Sequence, residues 1–483
     1  MAKEFIVAIE LGSSKMTGIA GRKNPDGSMT ILAVAKEDST SYIRKGVVYS
    51  IDKTTQGLSN IISKLKNSLQ ADITQVYVGI GGQSIHSVKN MVIKDLPMDA
   101  IVSQNMVNEL MDSNRNMTYP DYEIQDAITE EYKVDLQYQN DPVGIQASRL
   151  EGNFLNILWR RSFYRNLNKS FDNAGIAIAE TYLAPLVMAD NVLTEAEKRA
   201  GCVLVDLGAE TTTVSVYYRD KLRSIAVIPL GGDNITKDLE SLQMEACEAE
   251  RMKLKYSSAI TDVADIDPTA ILPIDSNRSV ESRRFIEVVE ARTLEIIENV
   301  KSFIPSEYID KLLGGIIITG GGSNMTNIEK AFREITGVEK IRIAKFVTLN
   351  INSKDSKPEL RHDGTMNTIL SLIARGDMNC AGNPFGNSLF DNQQFNAAFT
   401  TGTTNGTTTT QPNATTPHET EEERTKREEK ERIAKEEAER IKQEEETRKA
   451  KEEEERKKNS PIHRFFGSLK QFGRSLVEPE NNE

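Results

Sequence analysis

Ile9-Glu10-Leu11-Gly12-Ser13-Ser14-Lys15-Met16-Thr17 and Val205-Asp206-Leu207-Gly208-Ala209-Glu210-Thr211-Thr212-Thr213 repeat one pattern almost two hundred positions apart. Each is an apolar, strand-like run, then an acid, a Leu, a Gly, a small polar turn and a return into a second strand. A single Gly-containing hairpin says little. Two in register imply a chain of two similar halves gripping one anionic ligand from opposite sides. The other reading is two unrelated tight turns in an α/β core.

The chemistry is the same in both hairpins. Gly12 and Gly208 let the turn take unusual backbone angles, so that its N–H groups come close to phosphate oxygens. Ser13, Ser14, Thr211 and Thr212 add hydroxyls, and Lys15 adds a positive charge. Glu10 and Asp206 would repel phosphate unless a cation lay between. Mg²⁺ keeps most of its waters and touches protein through one or two carboxylates, which suits this pair reaching it through water.

Working outward, Gly314-Gly315-Ile316-Ile317-Ile318-Thr319-Gly320-Gly321-Gly322-Ser323 reads as a buried strand running into a glycine turn, with a helix from about Thr326. Strand-to-helix turns ordinarily use one or two glycines; three leave a flat backbone surface for an adenine or ribose. Glu250 and Lys253 share a helix face at i,i+3 spacing and could reach ribose hydroxyls, although such a pair is usually a solvated face. Gly231 and Gly232 join Gly320, Gly321, Gly322 and Ser323 as candidate nucleotide contacts.

The order of these pieces resembles the actin-like ATP-binding superfamily, and within it the FtsA family of bacterial cell-division proteins, over roughly Phe5 to Arg375. Val76-Tyr77-Val78-Gly79-Ile80-Gly81-Gly82, Asn140-Asp141-Pro142-Val143-Gly144 and Val192-Leu193-Thr194-Glu195-Ala196-Glu197 look like family landmarks. The first acid is commonly Asp in the superfamily, whereas Glu10 is a version FtsA-like chains carry. The resemblance implies an α/β, actin-like two-lobed fold with a duplicated core and an inserted α+β subdomain. It implies ATP and Mg²⁺ as cofactors and self-association into filaments. It also implies contacts of the insertion with later division proteins, and docking of the tail of the tubulin-like FtsZ on the small subdomain of the second half. Helix Glu281–Phe303, with Arg292 as a basic partner for an acidic tail, is the candidate site. Filament-forming relatives often place a water-activating Glu just before a Pro in the element matching Leu183-Ala184-Pro185. Ala184 cannot act as a base, so slow or absent hydrolysis is expected.

Composition bounds the rest. The 483 residues suffice for several domains. A net charge of −12 with no compact basic domain argues against nucleic-acid binding. Three scattered cysteines fit a reducing compartment, and four histidines form no metal-ligand spacing. No signal-peptide core or transmembrane run is expected.

Residues 1–83 read as the first part of one lobe, 84–162 as the insertion, and 163–200 as the return to that lobe. Residues 201–345 form the second lobe, with a small helical subdomain at 235–304, and 346–382 rejoin the first. Within these, Asp126–Asp135 and Arg149–Trp159 read as strands, and Ser103–Asn114, Phe163–Ala174 and Arg361–Arg375 as helices. Residues 383–418, rich in Asn, Thr and Gly, read as a disordered linker. In 419–459 Glu precedes Lys or Arg by four positions repeatedly (Glu428/Arg432, Glu436/Arg440, Glu452/Arg456), which supports a lone charged helix of roughly 60 Å at ~1.5 Å per residue.

Ser460-Pro461 opens a last helix, 460–477. Ile462, Phe465, Phe466, Leu469, Phe472 and Leu476 form one apolar stripe, and Arg464, Lys470 and Arg474 lie away from its centre. The favoured reading is an interfacial helix on anionic lipid; docking on the protein's own core or in a partner groove are the others. Ordering the segment offsets most of what its burial contributes, so one copy binds reversibly while a filament of copies holds firmly. The composite expectation is an ATP-binding protein at the cytoplasmic face of the cell membrane, tethering a division polymer at the division site. A kinase or a pilus or secretion assembly protein on the same fold stands as the alternative.

Overall fold

The computed structural model describes residues 4–353 and 360–381, apart from 263, 265, 266 and 268. The chain opens with β1 (Ile6–Leu11), β2 (Lys15–Lys23) and β3 (Met29–Asp38), a meander whose first strand is apolar on both faces, as a central strand must be. A two-strand turn, β4 (Ile43–Arg44) and β5 (Val47–Val48), leads into α1 (Ile51–Leu69), which buries Leu58, Ile61, Ile62 and Leu65 on one face. Next comes β6 (Gln75–Ile80).

The insertion follows: β7 (His86–Ile101), α2 (Gln104–Arg115), β8 (Tyr122–Val134), β9 (Gln137–Gln139) and β10 (Gln146–Arg160). Its own core holds Val107, Leu110, Leu150 and Phe154. Strand β7 had no counterpart in the sequence reading, because Lys89, Asn90, Lys94 and Asp95 break its apolar alternation.

The chain returns through α3 (Arg161–Ala174), β11 (Ala177–Leu183), α4 (Ala184–Val192) and α5 (Glu195–Ala200). Helix α3 ends at Gly175 in the left-handed region, its N–H closing on the Asp172 and Phe171 carbonyls. Helix α5 starts with a capping box: the Glu197 N–H donates to Thr194 Oγ1 and the Thr194 N–H to the Glu197 carboxylate.

The pattern then repeats with β12 (Cys202–Leu207), β13 (Thr212–Tyr218) and β14 (Lys221–Ile228). Helices α6 (Gly232–Glu240) and α7 (Ala246–Tyr256), hairpin β15 (Ile271–Pro273) and β16 (Ser279–Glu281), and α8 (Ser282–Phe303) enclose a core of Leu239, Met252, Phe285 and Val289. The mainly helical texture expected there thus includes a short hairpin. The chain closes with α9 (Ser306–Ile309), β17 (Gly315–Thr319), α10 (Ile328–Thr336), β18 (Ile341–Ile343), β19 (Ile351–Ser353) and α11 (Asn367–Arg375). The last helix is shorter than the expected span, since Asp363 turns the chain ahead of it by accepting from the N–H and hydroxyl of Thr365.

Duplication is plain in the sheets. One runs β11-β6-β1-β2-β3-β19, and the other runs β18-β17-β12-β13-β14-β7-β10-β8-β9. In each, an antiparallel meander is joined to parallel strands beside its first strand. The insertion extends the second sheet through a single paired position, Ala226 with His86. The expected linker, charged helix and amphipathic helix lie outside the described residues, as do Ile462, Arg464, Phe465, Phe466, Leu469, Lys470, Phe472, Arg474 and Leu476. Among the described residues no helix is long and apolar enough to cross a membrane.

Candidate functional site

The two hairpins face each other across one cleft of about 640 Å³. Their registers correspond residue for residue: Glu10 pairs with Thr17 and Asp206 with Thr213. In each turn the glycine is required by backbone crowding. A Cβ at Gly12 would lie 2.7 Å from the Lys15 carbonyl oxygen, and one at Gly208 would lie 2.8 Å from that of Thr211. Gly12, Ser13, Ser14 and Lys15 line one wall, and Gly208 and Thr211 the other. Thr212, taken from the sequence as a cleft hydroxyl, is turned away: it is buried, and its Oγ1 donates to the Leu230 carbonyl at 2.9 Å. Strand alternation brings Thr211 and Thr213 to the cleft and sends the residue between them to the far face.

Glu10 and Asp206 stand on the two hairpins and both line the cleft. Burial pushes the Glu10 carboxyl up to about 7; repulsion from Asp206 adds to this, while Lys15 and Lys36 pull the other way. Burial pushes Asp206 up to about 6. Each residue is half-buried. Two facing carboxylates held above their usual range fit a divalent cation, which would supply the charge that makes both anions favourable. No set of three His, Cys, Asp or Glu side chains among the described residues is arranged to hold a metal. The fit is therefore to a cation touching few protein ligands, as Mg²⁺ does.

Gly231 and Gly232 pack directly behind the second hairpin. A Cβ at Gly231 would lie 2.5 Å from the Ala209 carbonyl oxygen, and the Gly232 N–H donates to that of Gly208 at 3.0 Å. Glu250 and Lys253 both line the cleft, but the buried Lys253 is already committed. Its ammonium donates to the Gly232 carbonyl at 3.0 Å, Thr236 Oγ1 at 2.8 Å and Glu250 Oε2 at 2.6 Å. It holds Glu250 in place and has no donor left for a ribose.

Gly320 has φ +84, and a Cβ there would lie 2.4 Å from Asp206 Oδ1. Gly321 and Gly322 also line the cleft. Ser323 does not: it is buried, and its hydroxyl donates to the Gly320 carbonyl at 2.7 Å, bracing the turn. Arg292 lies away from the cleft on α8, bound to Asp238 at 2.5 and 3.0 Å and to Glu295. As a candidate for an acidic partner it already has two carboxylates of its own.

Sequence reading missed Gly46, Gly82, Arg361, Asp363 and Thr365, all of which line the same cleft. The Gly81-Gly82 doublet was the one available signal; the others arrive through long-range packing. Ala184, at the start of α4, also faces the cleft.

Residues 203–361 match the family model described as cell division protein FtsA, and residues 82–158 match the SHS2 domain inserted in FTSA. The chain is 31% identical over 352 residues to the cell division protein FtsA of Porphyromonas gingivalis, covering 71% of this chain and 74% of that one. It is 29% identical over 371 residues to the cell division protein FtsA of Neisseria meningitidis serogroup B, covering 72% and 88% respectively. Among solved structures, a PilM-PilN type IV pilus biogenesis complex aligns with a TM-score of 0.53 at 14% identity, covering 78% of this chain and 99% of that one, a likeness of fold alone.

Proposed function

Because the chain belongs to the FtsA family of cell-division proteins, we propose that it is a nucleotide-controlled adaptor that binds ATP in the cleft, self-associates, and tethers the FtsZ polymer to the cytoplasmic face of the membrane at the division site. One observation supports the nucleotide reading above all: two hairpins of matching register, each with an acid, a crowded glycine and hydroxyls, line one cavity. Gly12–Lys15, Gly208 and Thr211 bind phosphate oxygens through backbone N–H groups, hydroxyls and the Lys15 ammonium. Glu10 and Asp206 would hold Mg²⁺, whose charge would offset their repulsion of the phosphates. Gly320–Gly322 support the base or ribose, and Glu250, fixed by Lys253, accepts from ribose hydroxyls.

No residue at Ala184 takes a proton from water, so ATP serves as a structural ligand and is turned over slowly or not at all. The stripe from Ile462 to Leu476 lies on anionic lipid. The FtsZ tail docks on the subdomain bearing α8, where its acids must compete with Asp238 and Glu295 for Arg292. Later division proteins meet the insertion. Calorimetry with MgATP tests the central step. Heat of binding is expected for the wild type, with at least tenfold weaker affinity for Lys15→Ala; a folded protein that gives no heat refutes the nucleotide reading.

A further inference from the structure

The turn at Lys45 and Gly46, between β4 and β5, is gripped from three sides. From the second hairpin, Glu210 Oε2 accepts from the Lys45 N–H at 2.7 Å, while Oε1 of the same carboxylate meets the Lys237 ammonium of α6 at 3.2 Å. From the first hairpin, Ser13 Oγ accepts from the Gly46 N–H at 2.8 Å. From the start of the insertion, the Gln83 N–H donates to the Lys45 carbonyl at 2.8 Å. The Gln83 carbonyl in turn accepts from the indole N–H of Trp159 at 3.3 Å.

Trp159 is the next-to-last residue of β10, so Gln83 and Trp159 mark where the chain enters and leaves the insertion. The link between turn and insertion has no slack. Gly46 and Gly82 sit back to back with φ of +73 and +91, and a Cβ on Gly82 would lie 2.6 Å from both the Gly46 and the Lys45 carbonyl oxygens. A shift of the turn therefore displaces Gly82 and Gln83 with it, because close-packed backbone cannot absorb it. Glu210 itself lies outside the cleft lining, directly before Thr211 in the second hairpin.

We propose that Glu210 is a positioning residue that ties movement of the second hairpin on nucleotide binding to the insertion, acting through the Lys45–Gly46 turn and the Gln83–Trp159 hydrogen bond. This rests on the reading of the cleft as a nucleotide site. When the two hairpins adjust to phosphate, the Glu210 carboxylate carries Lys45 with it, and the ends of β7 and β10 feel the change. The coupling is reciprocal: a partner that fixes the insertion alters nucleotide affinity by the same factor that nucleotide alters the partner's.

Trp159 is the chain's single tryptophan, so the full-length protein reports on this contact without modification. Its emission is recorded during MgATP titration of wild type, Glu210→Ala and Glu210→Gln, with binding followed separately by calorimetry. Amide exchange at Lys45 and Gln83 is measured in the nucleotide-free proteins. The expected result has two parts. Glu210→Ala binds MgATP within about threefold of wild type yet loses at least half of the Trp159 response, and exchange at both amides rises at least fivefold without nucleotide. Glu210→Gln, which keeps an acceptor for the Lys45 N–H, falls between and guards against a misfolded alanine variant. An unchanged Trp159 response in Glu210→Ala, or faster exchange at Lys45 with none at Gln83, overturns the proposal. If MgATP binds none of the three proteins, the nucleotide reading falls, while the exchange measurement still decides whether Glu210 holds Gln83.

Discussion

Glu10 shows how much one carboxyl in the cleft costs when nearby lysines balance it only in part. Its carboxyl ordinarily titrates near 4.5 and is pushed up to about 7 in the folded chain. The folded state therefore holds this proton more tightly than the unfolded one. Stability is greatest below the unfolded value, falls as pH rises through the window up to about 7, and levels off above it. Glu10→Gln removes this loss. Chemical denaturation of nucleotide-free protein is expected to show the variant gaining about 1–3 kcal/mol on wild type between pH 4.5 and pH 8. The same variant should lose the Mg²⁺-dependent part of ATP affinity. A wild-type advantage that grows with pH would show that the carboxylate is already balanced within the protein. Gly320 is the second telling residue: its positive φ and the nearness of Asp206 Oδ1 leave no place for a methyl group. Gly320→Ala should lower stability by about 1–3 kcal/mol and weaken ATP binding, read by denaturation and calorimetry on one preparation.

At the level of elements, what could be read in advance depended on how local the signal was. Both hairpins were legible because acid, glycine and hydroxyls lie within nine consecutive residues. Thr212 and Ser323 were assigned to the site by neighbourhood in sequence, but strand parity and the tightness of the turn after Gly320 send their hydroxyls elsewhere. Gly46, Arg361 and Thr365 carried no local motif and reach the cleft only through tertiary packing. Strand β7 was illegible because its polar residues hide the alternation. The start of α5, by contrast, is written in four residues, and its capping box invites a direct check. Thr194→Ala should cost about 0.5–2 kcal/mol in denaturant melts, through loss of the bond to the Glu197 N–H; no change would mean the cap contributes nothing here.

For the whole molecule, the expected division of labour separates a folded nucleotide-binding body from a membrane-binding terminus. Sedimentation with anionic liposomes, comparing the full chain with one ending at Asn459, should show pelleting only for the full chain, and more of it with ATP. Equal pelleting of the two would end the interfacial-helix reading.

The way the insertion joins the second sheet has a consequence for solubility. Strand β14 would otherwise present a bare row of N–H and C=O groups, the template on which stray chains add and aggregates grow. By pairing Ala226 with His86, and by placing Ser87 against Ile225 and Ile85 against Val227, the insertion covers the Ile225–Val227 stretch of that row. Deleting the insertion would therefore do more than remove the docking surface proposed above. It would unmask a sticky rim, and a clean deletion variant should be sought only with that rim blunted by charge.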